Sequence, residues 1–235
     1  MDKQAIRQRV WDALERAGEA RFPFPPHGRI PNFAGAGAAA DRLADRPEYH
    51  RAETLKSNPD APQLPVRRRA LRDGKPVFMA VPRLREVDCF MALYPERLSD
   101  PEAAATISGA DEHAEYVGPA EMPHIDLIVA GSVAVTPTGD RIGKGEGYSD
   151  LEFAILGEAG LVDATTTVAT TVHEMQLLDR EVPAAAHDVP IDLVVTPERV
   201  IETDRRRDRP GGIEWDLLDA ETIEAIPILQ RLRPE

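Results

Sequence analysis

The chain has 235 residues, 42% hydrophobic and 5% aromatic, with a net charge of −13. That length suits a single α/β domain over 1–235, and no apolar run approaches the roughly 20 residues of a membrane-spanning helix. The one cysteine, Cys89, excludes an intramolecular disulfide and a multi-cysteine metal centre, and the acidic balance weighs against nucleic-acid binding. Only four lysines stand among the 28 basic residues. Acidity with few lysines suits a high-salt cytoplasm, where surface carboxylates keep a protein soluble; a GC-rich genome that favours Arg and Ala codons gives the same composition. Met1 to Gln4 are polar and lead into a charged helix, which is no signal peptide, so a cytoplasmic protein is expected.

Ile6, Val10, Leu14 and Ala17 recur at helical spacing and predict an amphipathic helix over Lys3 to Ala20. Arg21 to Asn32 holds four prolines and reads as a loop with extended pieces. A short helix follows over Gly37 to Ala44. A strand is expected over Glu53 to Ser57, then a helix over Gln63 to Arg72, stopped by Gly74. Pro76 to Val81 reads as a strand. Residues 86–123 give no clear period. Ile125 to Ala130 is a continuous apolar run, as in a strand buried on both faces, and Val133 to Thr136 is a second short candidate. Tyr148 to Ala159 reads as a helix and Thr165 to Val172, dense in β-branched residues, as a strand. Two short strands, Ile191 to Thr196 and Arg199 to Glu202, flank Pro197. The charged run Arg205 to Arg209 reads as a solvated loop. The tail from Leu217 is helical or irregular. Strands alternating with helices predict a three-layer α/β/α fold with a mainly parallel sheet, its site at the carboxyl ends of the strands near the loop after Ala130.

Arg141 to Asp150, RIGKGEGYSD, sets Gly143, Gly145 and Gly147 at alternate positions around Lys144. Glycines there serve a tight turn, or present bare backbone N–H groups to a phosphate. The spacing is neither a dinucleotide fingerprint, which would need a glycine at Tyr148, nor a Walker A loop.

This segment resembles the signature of the 5-formyltetrahydrofolate cyclo-ligase family, approximately R-L-G-R-G-G-G-Y-Y-D-R. Arg141, the three glycines, Tyr148 and Asp150 match; Glu146, Ser149 and Leu151 depart from it. Lys3 to Arg7 resembles the family's N-terminal K-x-x-L-R. Asp60 to Gln63, ahead of Gly74-Lys75, resembles its E-x-x-T element. Val182-Pro183 with His187-Asp188 and Asp192 resembles its closing P-x-x-x-H-D element. Arg29 to Phe33 and Lys56 to Asp60 are similar to one branch, the methenyltetrahydrofolate synthase domain-containing proteins.

The resemblance implies an ATP- and Mg²⁺-dependent ligase that converts 5-formyltetrahydrofolate to 5,10-methenyltetrahydrofolate. It implies phosphate binding by Arg141, Gly143, Gly145, Gly147 and Tyr148, and charge neutralisation by Lys3, Arg7 and Lys144. It implies folate contacts from Asp60 and Tyr148, and a metal contact from Asp150. Bland readings stand beside these: Lys3, Arg7 and Lys144 as surface cations, Asp150 as an N-cap, His187-Asp188 as a turn, and His173 and Cys89 as structural. The four departures, Asp60, Glu146, Ser149 and Leu151, leave a second reading open, a relative that binds nucleotide or a folate-like ligand without this turnover.

Overall fold

The computed structural model describes residues 2–205 and 207–234. In chain order the helices are α1 (Lys3–Arg16), α2 (Ala36–Ala44), α3 (Pro47–Arg51), α4 (Leu64–Arg72), α5 (Pro101–Ala104), α6 (Ile107–His113), α7 (Tyr148–Glu158), α8 (Ala220–Ala225) and α9 (Pro227–Leu232). The strands are β1 (Ala20–Arg21), β2 (Asn32–Phe33), β3 (Leu55–Ser57), β4 (Val77–Ala80), β5 (Phe90–Leu93), β6 (Glu115–Val117), β7 (Leu127–Val129), β8 (Ala134–Val135), β9 (Arg141–Ile142), β10 (Thr167–Thr171), β11 (Leu193–Val195) and β12 (Val200–Glu202).

Eight strands form one sheet in the order β12-β11-β10-β7-β3-β4-β5-β6. The five central strands, β11 to β4 in that order, are parallel. Antiparallel strands close both edges. Successive residues of a strand face opposite sides, so Leu127 and Val129 pack with α2 and α4 while Ile128 and Ala130 pack with α7 and α9. This is the expected three-layer arrangement, and the central strands are largely buried because both faces are covered.

Two connections decide where a ligand fits. β3 leads through α4 to β4 on one side, while its neighbour β7 leads through α7 to β10 on the other. Connections that diverge from adjacent parallel strands leave a crevice at the strands' carboxyl ends. Asn58 to Asp60 and Gly131 sit there.

The third cluster of buried residues lies apart from the sheet. Asp2 caps α1 by accepting from the Ala5 N–H at 2.7 Å. α1 buries Ile6, Val10, Trp11 and Leu14 with Val133, Ala134 and Ile142 of the β8–β9 hairpin. The helix stops at Arg16, short of the predicted Ala20, because Gly18 turns the chain in the left-handed region at φ 69°.

The structure adds elements the periodicity does not disclose: α3, β9, and β5, α5, α6 and β6 within residues 86–123. It also corrects the reading of the arginine run. The Arg209 side chain is largely covered, donates to the Thr166 carbonyl at 2.7 Å and pairs with Asp192. Arg207 donates to Asp140 and to the Ala185 carbonyl. These side chains pin the C-terminal segment to the sheet rather than face solvent; Arg206 lies outside the described residues.

Candidate active site

All ten residues singled out in the sequence line one cleft of about 490 Å³ at the β3–β7 crevice. α1 supplies Lys3 and Arg7, which share a helix face at i, i+4 spacing. The chain after β3 supplies Asp60. β9, the loop after it and the first turn of α7 supply the rest.

That loop is held open from below. Arg141 donates to the Gly131 carbonyl at 2.9 Å and pairs with Asp150 at 2.6 Å. Burial works against the Arg141 charge, but Asp150 holds the guanidinium pKa above its ordinary value. Asp150 also accepts from the Val189 N–H at 3.1 Å, and both bonds fall on Oδ1. The N-cap of α7 is Gly147 in the left-handed region, not Asp150, which lies in the first helical turn.

The backbone N–H groups of 144–147 donate to no backbone carbonyl among the described residues. They lead into the positive end of an eleven-residue helix. Gly145, at φ 106°, cannot be replaced without strain, and a Cβ there would lie 3.1 Å from the Arg7 guanidinium carbon. Arg7 donates to the Gly143 carbonyl at 2.7 Å and so fixes the loop against α1.

The cations differ in how they are employed. Lys3 pairs with Asp188 at 2.6 Å. Burial raises the Asp188 carboxyl, but Lys3 and the Ala185 N–H outweigh it and hold the group below its usual range. Thus His187-Asp188 is a turn, as expected, and its carboxylate also walls the cleft. Lys144 pairs with Glu146 at 2.7 Å at the exposed lip. Arg7 has no ion-pair partner among the described residues; burial lowers its pKa, and Asp188 and Asp2 act in the opposite direction.

Asp60 also lines the cleft, and its carboxylate makes no hydrogen bond or ion pair among the described residues. A Cβ on Gly131 would lie 3.0 Å from its Oδ2. Burial pushes the Asp60 carboxyl above its ordinary range, more than Lys144 draws it back. Arg83 also lines the cleft, with no partner among the described residues, on a strained backbone where φ is 59°, followed by Leu84 at 52°.

Beneath the cleft is a polar floor that sequence reasoning missed. Lys56 and Glu152 form a buried ion pair. Asn58 donates to Glu152 at 3.1 Å and accepts from the Gly131 N–H at 3.0 Å. Ser149 donates to Asn58 at 3.2 Å, so this departure from the family pattern joins the same network. Arg67 is buried under it, donating to the carbonyls of Asn58, Pro59, Asp60 and Ala105. Burial lowers its pKa to about 10. The signal available was a glutamate inside the otherwise apolar run Leu151 to Leu156.

A model of the 5-formyltetrahydrofolate cyclo-ligase family matches residues 1–197. The chain belongs to that family. It is 41% identical to a methenyltetrahydrofolate synthase domain-containing protein of Mus musculus, over 99% of this chain and 63% of that protein. The Bos taurus protein of the same name is 40% identical over 99% of this chain and 62% of its own length. The chain thus spans less than two thirds of these relatives. The NMR structure of Aquifex aeolicus 5,10-methenyltetrahydrofolate synthetase superposes with a TM-score of 0.56 at 19% identity, covering 89% of this chain and 97% of that one, a likeness of fold.

Proposed function

We propose that the protein is an ATP-dependent 5-formyltetrahydrofolate cyclo-ligase of the cytoplasm that forms 5,10-methenyltetrahydrofolate. The observation that carries this reading is convergence: residues spread from Lys3 to Asp150 meet in one cleft at the sheet's switch point, in a chain of this family. In the reaction the formyl oxygen takes the γ-phosphoryl group of ATP and ADP leaves. N10 then attacks the formyl carbon, loses its proton, and the oxygen departs in phosphate.

Such a transfer needs positioning and charge neutralisation rather than a protein nucleophile. The free N–H groups of 144–147 bind phosphate oxygens. Arg7, partly buried and without an ion-pair partner among the described residues, lies beside Gly145 and stabilises charge that develops on the transferring group. Lys144 exchanges its weak exposed contact with Glu146 for a phosphate. The Asp60 carboxylate, without a partner among the described residues, accepts N–H groups of the pterin, and Tyr148 lines the same cleft. Arg141 acts by holding Gly131 and Asp150 in place.

Among the described residues no three His, Cys, Asp or Glu side chains cluster to hold a metal. Mg²⁺ in nucleotide sites is held by one or two carboxylates plus phosphate oxygens, so Asp150 and Asp188, both on the cleft wall, fit an ion that arrives with ATP. Bound there, it would neutralise phosphate charge.

The test is to incubate purified protein with 5-formyltetrahydrofolate, ATP and Mg²⁺ and follow the absorbance of methenyltetrahydrofolate. ATP-dependent growth is expected. Nucleotide binding without product across pH and salt would favour a non-catalytic relative.

A further inference from the structure

A second cavity, of about 380 Å³, adjoins the cleft. The two share the wall formed by Glu146, Gly147, Tyr148, Asp150 and His187. Its other wall is the C-terminal segment, from Pro210 to Ile226. That segment lies beyond the residues the family model matches. It is fastened in place: Arg207 and Arg209 anchor its start, and the Ile213 N–H donates to Glu158 of α7 at 3.1 Å.

The lining of this cavity differs in kind from that of the cleft. Its body is apolar, formed by Leu151, Ala154, Ile213, Leu218 and Ile226. Its polar groups are mostly acceptors, with Glu214, Asp219 and Glu221 at the rim, and no lysine or arginine lines it among the described residues. Leu217, also in the lining, is left 59% exposed. A cavity of this character repels phosphate and carboxylate and suits a flat neutral group that carries N–H donors. The glycine loop borders both this cavity and the cleft, through Glu146 and Gly147.

We propose that the C-terminal segment builds a nucleobase site: the purine ring of ATP lies against Leu151 and the 210–226 wall, while its phosphates lie on the glycine loop. This rests on the reading of the cleft as an ATP site. It orders the site in one line, with base, phosphates and one-carbon substrate in successive compartments.

Ala225 is exposed and Thr222 half-buried, and both face this cavity. Ala225→Trp and Thr222→Trp therefore fill it without disturbing the core, which thermal melting verifies. Binding of ATP and of inorganic tripolyphosphate is measured by calorimetry, and KM for 5-formyltetrahydrofolate by turnover. For both variants, ATP affinity should fall about tenfold or more, while tripolyphosphate affinity and the folate KM stay within about twofold. Unchanged ATP affinity overturns the proposal. So does equal weakening of ATP and tripolyphosphate, which signals a distorted loop, or a rise in the folate KM alone, which assigns the cavity to the pterin. Wild-type protein that binds ATP no better than tripolyphosphate removes the base site but leaves the cleft reading intact; binding neither removes both.

Discussion

The floor and the lip of the cleft use the same residue types for opposite ends. On the floor, Lys56 and Glu152 are buried and paired, Arg67 is spent on four carbonyls, and Arg141 is locked to Asp150 and Gly131. Facing the cleft, Arg7 and the Asp60 carboxylate lack ion-pair partners among the described residues, and Lys144 holds only an exposed contact with Glu146. A buried charge needs its partner because desolvation is costly. A cleft-facing charge without one is available to a ligand. Side-chain type alone therefore does not separate scaffold from chemistry; burial and pairing do.

The comparison breaks most visibly at the floor. Glu152→Ala should lower unfolding free energy by about 3–5 kcal/mol, because it strands the Lys56 ammonium, and Lys56→Met with Glu152→Leu should recover much of that loss. Urea denaturation of the single and double variants reads this directly.

Asp60 sharpens the other side. Asp60→Asn should raise the folate KM by about 10- to 100-fold, the cost of removing a hydrogen bond to a charged group. Stability should move in the opposite direction. The folded pKa lies above the unfolded one, so between the two values the native state binds more protons and stability falls as pH rises. Asn removes that cost. The variant should equal or exceed wild type near neutrality, with its advantage disappearing as pH drops below the ordinary carboxylate range, as melts across pH would record.

The smallest expected effect is at the exposed pair. Glu146→Gln frees Lys144 and should tighten ATP binding about two- to fivefold, in keeping with the weakness of surface ion pairs. Calorimetry at low and high salt checks it, and the gain should shrink with salt.

What the sequence discloses follows the range of the interactions. The glycine loop, and Lys3 and Arg7 one helical turn apart, are local patterns and stand out in one dimension. The pairing of Lys56 with Glu152 spans 96 residues, and neither local pattern names the other as its partner. β5 is a four-residue apolar stretch whose length and composition fit strand or buried helix equally, so the antiparallel edge of the sheet was not legible. Arg207 and Arg209 have the composition of a solvated loop, and only the fold brings Asp140, Thr166 and Asp192 to them. Cys89 was placed correctly as core; burial drives its thiol up to about 12, so it should resist alkylation until the protein unfolds.

The measurement that bears most directly on the separation of scaffold from chemistry is Arg7→Ala, assayed for methenyltetrahydrofolate formation and thermal stability in the same preparation. Turnover should fall about 10²- to 10³-fold, the scale for one lost transition-state donor, while the melting temperature shifts little. A variant that keeps its turnover but melts markedly lower would contradict the account, since Arg7 would then belong to the floor.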